Sequence, residues 1–121
     1  YKDDQLDDPF INEEHIYFLQ LAKPEEISEL KAQALAINEI LTELFAKVGL
    51  VLVDFKLEFG RSNGQILLAD EVTPDTCRLW DERTNEHMDK DVYRRDLGDL
   101  IPVYQEVYNR LSELTEEKER V

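Results

Sequence analysis

The sequence predicts an α+β domain in which an antiparallel sheet is flanked by helices. Two segments, 24–48 and 99–114, carry apolar residues at helical spacing. Between them, two short runs rich in apolar and β-branched residues stand on either side of a hairpin turn signal. The chain has 121 residues, which is enough for one domain with its own core, so we expect a single domain over residues 1–121.

The N-terminal segment is acidic and has little periodicity. Residues 1–12 are predicted to form a loop, in which Pro9 favours an extended backbone at Asp8. Residues 13–20 are predicted to form a short helix or a turn. The sequence begins with Tyr1 rather than Met, and we expect that the chain starts within a larger protein.

The first long helix is predicted over residues 24–48. Pro24 suits the first helical position, and Glu25 and Glu26 follow it in the first turn, where the helix dipole favours negative charge. Gly49 is suited to the left-handed residue just past the end. The apolar stripe comprises Ile27, Leu30, Ala34, Ile37, Leu41, Leu44 and Val48.

Two strands are predicted after this helix, over Leu50–Phe59 and Gln65–Val72. Arg61-Ser62-Asn63-Gly64 between them is a hairpin turn signal. Either a three-residue loop at 62–64 or a two-residue loop at Asn63-Gly64 is compatible with this signal. Because side chains alternate between the faces of a strand, the two loops give opposite faces to any residue of the second strand.

The stretch VDFKLEFG, residues 53–60, alternates charged and apolar residues. Asp54, Lys56 and Glu58 would therefore share one face of a strand. With the three-residue loop, Asp70 lies opposite Lys56 on that same face, whereas the two-residue loop sends it to the other face. Two carboxylates that meet there can bind Mg²⁺, and Lys56 can contact a carboxylate or phosphate. The alternative is a solvated strand face with balanced charges.

The rest of the chain combines a long polar segment with a second helix. Residues 73–95 are predicted to be a loop with one turn of helix, a type of segment that is often functional. Arginines in that loop suit the capture of anions, although surface ion pairs would explain them too. The helix over 99–114 has Pro102 in its first turn. Its predicted stripe is Ile101, Tyr104, Tyr108, Leu111 and Leu114.

The composition excludes several functions. The chain has 28 acidic and 14 basic residues and a formal charge of -14, which disfavours binding to nucleic acid or to an anionic membrane. No apolar run is long enough to span a bilayer. Cys77 is the single cysteine, which fits a reducing cytosol. His15 and His87 lack the ligand spacing of a zinc site, and a glycine-rich phosphate loop is absent.

Four blocks in order resemble the SAICAR synthetase family, the phosphoribosylaminoimidazole-succinocarboxamide synthases. The blocks are YKDDQLDDPFINEEH, LVDFKLEFG, LADEVTPDTCRLWD and MDKDVYRRDLGDL. The resemblance extends to about Leu114 and implies the C-terminal half of an enzyme whose N-terminal nucleotide-covering lobe is absent here. It also implies a fold related to ATP-grasp and kinase-like nucleotide binders.

The resemblance implies an ATP-dependent ligase of purine biosynthesis. Such an enzyme joins CAIR, a carboxylated aminoimidazole ribonucleotide, to L-aspartate, with ATP and Mg²⁺, and releases ADP and phosphate in the cytoplasm. The implied partners are these small molecules and the other half of the enzyme, and a homo-oligomer is compatible with the sequence. The alternative function is a non-catalytic acidic interaction domain, which would have no convergent pocket.

The resemblance also implies roles for individual residues. Glu58 and Asp70 would hold Mg²⁺ with the nucleotide, and Lys2 would contact the nucleotide phosphates. Asp54 and Lys56 would line the reacting centre.

The remaining implied roles concern the two other substrates. Asp8 would face the aspartate amine, and Arg78 would bind the CAIR phosphate or carboxylate. Four further residues would shape the pocket or contact substrate: Asp75, Trp80, Asp91 and Arg94.

Overall fold

The helices match the predicted pattern closely. A computed structural model describes residues 1–119. It has an α+β architecture of two separate two-stranded antiparallel sheets and four helices. The helices are α1 (Glu13–Phe18), α2 (Pro24–Lys47), α3 (Asp91–Arg94) and α4 (Leu100–Glu119). The short helix, the first long helix and the single turn in the polar segment are thus confirmed, and α4 runs five residues past the predicted end.

The ends of α1 and α2 follow from local sequence. The Asn12 side chain caps α1 by accepting a hydrogen bond from the His15 backbone N–H at 2.9 Å. At the start of α2, the Lys23 backbone N–H donates to Glu26 Oε1 at 3.0 Å. Gly49, with φ of 72°, takes the left-handed conformation just past the end of α2, as predicted.

The strands differ from the prediction in three ways, one of which is that the strand predicted over Gln65–Val72 ends at Ala69. They are β1 (Leu50–Phe55), β2 (Glu58–Ser62), β3 (Gln65–Ala69) and β4 (Cys77–Asp81), with β1 paired to β4 and β2 to β3. The single strand predicted over 50–59 is wrong, because residues 56 and 57 separate β1 from β2. Strand β4 lies inside the predicted loop and was missed, because only its antiparallel pairing with β1 reveals it.

The β2–β3 hairpin has the two-residue loop. Ser62 pairs with Gln65, and Asn63 and Gly64 take φ of 51° and 76°. Two successive left-handed residues match the twist of the flanking strands, which explains the choice of Asn-Gly over the three-residue loop. The three-residue register is therefore wrong.

The core lies between α2, the β1–β4 sheet and α4. Its buried cluster contains Phe45, Leu50, Cys77, Leu79, Met88 and Val107. Every member of the predicted α2 stripe is at least partly buried, and Phe45, which was not predicted, is only 5% exposed.

The predicted apolar stripe of α4 is partly wrong. Ile101 and Tyr108 are 76% and 67% exposed, respectively. Val103 and Val107, which were not predicted, pack against the core together with Leu111 of the predicted stripe. These three valine and leucine residues form a second series at spacing four, so periodicity alone could not choose between two neighbouring faces of the helix.

One arginine ties α4 to the rest of the domain. Arg110 donates to Asp81 Oδ2 at 2.9 Å and to the Val48 carbonyl oxygen at 3.2 Å. This links α4 to the end of β4 and to the end of α2. Across residues 1–119, none of the helices has the length and apolar character needed to cross a bilayer.

Candidate functional site

The first charged group lies where β1 gives way to the β2–β3 hairpin. We call Lys56, Glu58 and Asp70 the hairpin cluster. Lys56 Nζ lies 2.7 Å from Glu58 Oε1. The pKa of Lys56 is raised by its hydrogen bond and charge interaction with Glu58, and the charges of Asp70 and Glu71 add to the effect. Lys56 is therefore a fixed cation between acidic groups.

Asp70 follows β3 with a backbone conformation that breaks the alternation of the strand. The β2–β3 register pairs Glu58 with Ala69, so continued alternation would send Asp70 to the opposite face. However, the strand ends at Ala69, and Asp70 has a left-handed φ of 66°. Hydrogen bonds with the side chain and the backbone of Glu71 lower the pKa of Asp70, and Glu58 and Lys56 lower it further. Glu58 and Lys56 thus contribute to the lowered pKa of Asp70, although the register pairs Glu58 with Ala69.

A cavity of about 600 Å³ opens beside the hairpin cluster. Its charged lining residues include Lys2, Asp8, Lys56 and Glu58. Its apolar lining comes from α1, α2 and the hairpin, and includes Ile16, Ile27, Leu30, Phe59 and Ile66. An apolar pocket with a few convergent charges is the usual form of a small-molecule site.

The N-terminal loop brings Lys2 and Asp8 to this cavity. Lys2 Nζ lies 3.5 Å from Asp8 Oδ2, and the Asp3 backbone N–H donates to Asp8 Oδ1 at 2.8 Å. The hydrogen bond from Asp3, together with the charge of Lys2, lowers the pKa of Asp8. The extended backbone predicted before Pro9 is wrong, since Asp8 has a φ of 47°. The turn that its carboxylate closes with Asp3 accounts for this conformation.

Two contacts missed by sequence reasoning hold the hairpin on α2. Arg61 donates to the Leu21 carbonyl at 2.7 Å and to Glu26 Oε1 at 2.9 Å. The hydrogen bond from Arg61 is the main cause that lowers the pKa of Glu26 to about 2. The Gln33 side chain donates to the Ile66 carbonyl at 3.1 Å. These partners are 33 to 40 residues apart, so no local pattern could have indicated them.

The second charged group surrounds Arg78 on β4. We call Asp54, Arg78, Asp91 and Arg94 the arginine cluster. Asp54 is the antiparallel partner of Arg78, and its Oδ2 lies 2.7 Å from Arg78 Nη1. Asp91 lies 3.2 Å from Arg78 Nε and 3.6 Å from Arg94 Nη1. The structure therefore brings together four of the predicted site residues, and it pairs Asp54 with Arg78 rather than with Lys56.

The other two predicted substrate residues have different neighbours. Asp75 accepts a hydrogen bond from the Tyr104 hydroxyl and lies 3.6 Å from Lys90 Nζ. Burial, and then the hydrogen bond to Asp75, raise the pKa of Tyr104. Trp80 packs edge-on against His87, with ring centroids 5.3 Å apart. Asp75 is thus anchored to α4, and Trp80 lies on β4 beside the segment that leads to α3.

His87, Asp89 and Asp91 form a group that sequence reasoning passed over. One ligand atom from each lies within 4.8 Å of the others. The alternating H-x-D-x-D spacing of these residues could have indicated this group from the sequence. Both oxygens of Asp89 accept backbone hydrogen bonds, and Asp91 faces Arg78, so the two carboxylates already have partners. The arrangement is better suited to fixing the arginine cluster than to holding a cation.

Comparison with known proteins identifies strong similarity to one family. The family model described as SAICAR synthetase matches residues 1–111. The phosphoribosylaminoimidazole-succinocarboxamide synthase of Enterococcus faecalis is 62% identical over 112 residues, which are 92% of this chain and 47% of the relative. The Lactococcus lactis enzyme of the same name is 60% identical, with the same shares covered.

Solved structures agree with the sequence comparison. A SAICAR synthetase in complex with ADP is 52% identical and has a TM-score of 0.88, over 93% of this chain and 48% of that one. The Ehrlichia chaffeensis synthase is 49% identical with a TM-score of 0.87, over 93% and 49% of the two chains. The chain spans about half the length of the relatives and structures that it matches.

Proposed function

The chain belongs to the SAICAR synthetase family, and on this premise we propose that it forms part of an ATP-dependent carbon–nitrogen ligase. The complete enzyme joins CAIR to L-aspartate, and releases ADP and phosphate, as a step of purine biosynthesis in the cytoplasm. The remaining part of the enzyme supplies the N-terminal nucleotide-covering lobe. The observation that carries the proposal is the grouping of the implied site residues into a hairpin cluster beside a cavity and an arginine cluster on β4.

The hairpin cluster is proposed to bind the nucleotide phosphates and Mg²⁺. Carboxylate oxygens are the ligands that Mg²⁺ prefers. Glu58 is partly exposed, Asp70 is exposed, and Glu58 contributes to the lowered pKa of Asp70. The carboxylates of Glu58 and Asp70 supply suitable oxygen ligands for Mg²⁺, and they would hold the ion. Bound Mg²⁺ would stabilise the negative charge of the transferred phosphoryl group. Lys2 and Lys56 would contribute positive charge to the same region. Support also comes from the relative solved in complex with ADP.

The arginine cluster is proposed to bind the anionic groups of CAIR. The planar guanidinium of Arg78 offers paired donors that match a phosphate or a carboxylate. Asp54 and Asp91 contact Arg78 from two sides and restrict its orientation. The pKa of Arg78 is raised chiefly by Asp54, so its charge is constant across the physiological range. Arg94, on the other side of Asp91, adds a second cation.

The proposed chemistry activates a carboxylate before forming an amide. A carboxylate is a poor acyl donor until one of its oxygens becomes a good leaving group, which phosphoryl transfer from ATP provides. The aspartate amine then attacks the acyl phosphate and expels phosphate. Lys56 would hold the carboxylate or the acyl phosphate. Asp8, whose lowered pKa keeps it anionic, would face the aspartate amine and accept a hydrogen bond from it.

The test is SAICAR formation from CAIR, L-aspartate and Mg-ATP. Three samples are compared: this chain, the part of the Enterococcus faecalis relative that this chain does not cover, and both together. We expect turnover only with both, because the nucleotide site is proposed to be shared. A stable complex that forms no SAICAR would overturn the proposal and favour the acidic interaction domain.

A further inference from the structure

Asp89 is the most buried charged side chain among residues 1–119. It is 1% exposed, and its carboxylate forms no ion pair within that range. Burial of an ionised carboxylate is costly unless its oxygens are hydrogen-bonded. Asp89 Oδ2 accepts from the Leu79 backbone N–H at 2.7 Å, and Oδ1 accepts from the Asp91 backbone N–H at 2.8 Å. Both hydrogen bonds therefore join this carboxylate to the backbone.

The two backbone N–H donors lie beside the two members of the Arg78–Asp91 ion pair. Leu79 directly follows Arg78 on β4, and Asp91 is the first residue of α3. Arg78 Nε and Asp91 Oδ2 are 3.2 Å apart. The hydrogen bond from the Met88 backbone N–H to the Leu79 carbonyl, at 2.7 Å, holds the same segment against β4. One buried carboxylate thus connects the backbone beside Arg78 to the backbone of its partner.

We infer that Asp89 is a positioning residue for the Arg78–Asp91 pair. By holding β4 and the start of α3 at a set separation, it fixes the direction in which the Arg78 guanidinium points. This inference rests on the proposed function, in which Arg78 binds an anionic group of CAIR. Since guanidinium recognition of phosphate or carboxylate depends on a planar, paired geometry, a change of orientation weakens binding even when the charge remains.

Asp81 provides a matched control. It is also a buried carboxylate, 7% exposed, and its Oδ1 accepts backbone hydrogen bonds from Arg83 and Thr84. Its ionic partner is Arg110 rather than Arg78. Replacement of either aspartate by asparagine removes an acceptor from a buried site. Only the replacement at position 89 disturbs the support of Arg78.

The experiment compares Asp89→Asn and Asp81→Asn in the complex of this chain with the uncovered part of the Enterococcus faecalis relative. For Asp89→Asn we expect the KM for CAIR to rise about tenfold, because one charge-assisted hydrogen bond is lost. The KM for ATP and kcat should change less than about twofold by the same reasoning. Asp81→Asn should lower stability without a selective effect on the KM for CAIR.

A second readout does not depend on activity. With labelled arginine in this chain alone, the Arg78 Nε–H signal is assigned by its loss in Arg78→Lys and should shift or broaden in Asp89→Asn but not in Asp81→Asn. An unchanged Arg78 signal in Asp89→Asn overturns the inference, as do equal changes in all kinetic constants. If the wild-type complex forms no SAICAR, the proposed function fails, while the arginine signal still decides the role of Asp89.

Discussion

Truncation of Leu79 tests whether the core beneath β4 stabilises the domain. Leu79 is 0% exposed and packs in the cluster that contains Phe45, Leu50 and Val107. Leu79→Ala removes three carbons, whose transfer from water accounts for about 2.4 kcal/mol at about 0.8 kcal/mol each. The cavity left in a packed core adds to this, so we expect a loss of about 3 to 4 kcal/mol in the free energy of unfolding.

The matched control is Leu68→Ala on β3. Leu68 is 42% exposed, so the same substitution should cost only about 1 kcal/mol, since little cavity forms. Urea denaturation of both variants, followed by far-UV circular dichroism, measures the difference directly. Equal losses in the two variants would show that the domain is not organised around the core at β4, and would refute the reasoning.

The remaining predictions concern the hairpin and the response to acid. In the complex with the uncovered part of the relative, Glu58→Gln should reduce kcat by about 100-fold or more with little change in thermal stability; matching losses of both would indicate a structural role. Gly64→Ala should cost about 1 kcal/mol in urea denaturation because φ is 76°, whereas Gly60→Ala, which meets no atom within 4 Å, should not destabilise the domain. Arg110, with two backbone N–H groups, lowers the pKa of Asp81 from 3.8 to about 2. The ionised Asp81 carboxylate should therefore stabilise the fold fully above pH 3.8, and this contribution should be lost as the pH falls through about 2. In Asp81→Asn, the free energy of unfolding measured against pH should lack this step.

The helices were accessible from the sequence because their signals are local. The α2 stripe, Pro24 at the start and Gly49 past the end each depend on residues within a few positions. The same limit explains the error in α4. Two apolar series lie on neighbouring faces there, one at spacings of three and four and the other at spacing four, and only packing against Leu79 and its neighbours selects Val103 and Val107.

The strands were harder to predict because strand pairing joins distant segments. Strand β4 carries a short pattern of buried Cys77, Leu79 and Asp81, which is too brief to identify without its partner β1. The break at residues 56 and 57 coincides with a hydrogen bond from the Lys56 backbone to Thr76, twenty positions away. Nothing within the stretch 53–60 marks that break.

By itself, the sequence determined the α+β class, the extent of α2 to within one residue and the family resemblance. The resemblance supplied the residues proposed for the candidate site. Only the tertiary structure decided how those residues group. It paired Asp54 with Arg78, and it gave Asp70 a left-handed backbone past the end of β3, which strand register does not determine. The physical reason is the sequence separation over which each kind of interaction acts. Helical periodicity and capping act over three or four residues, whereas the contacts between charged side chains depend on chain segments that only the folded core brings together.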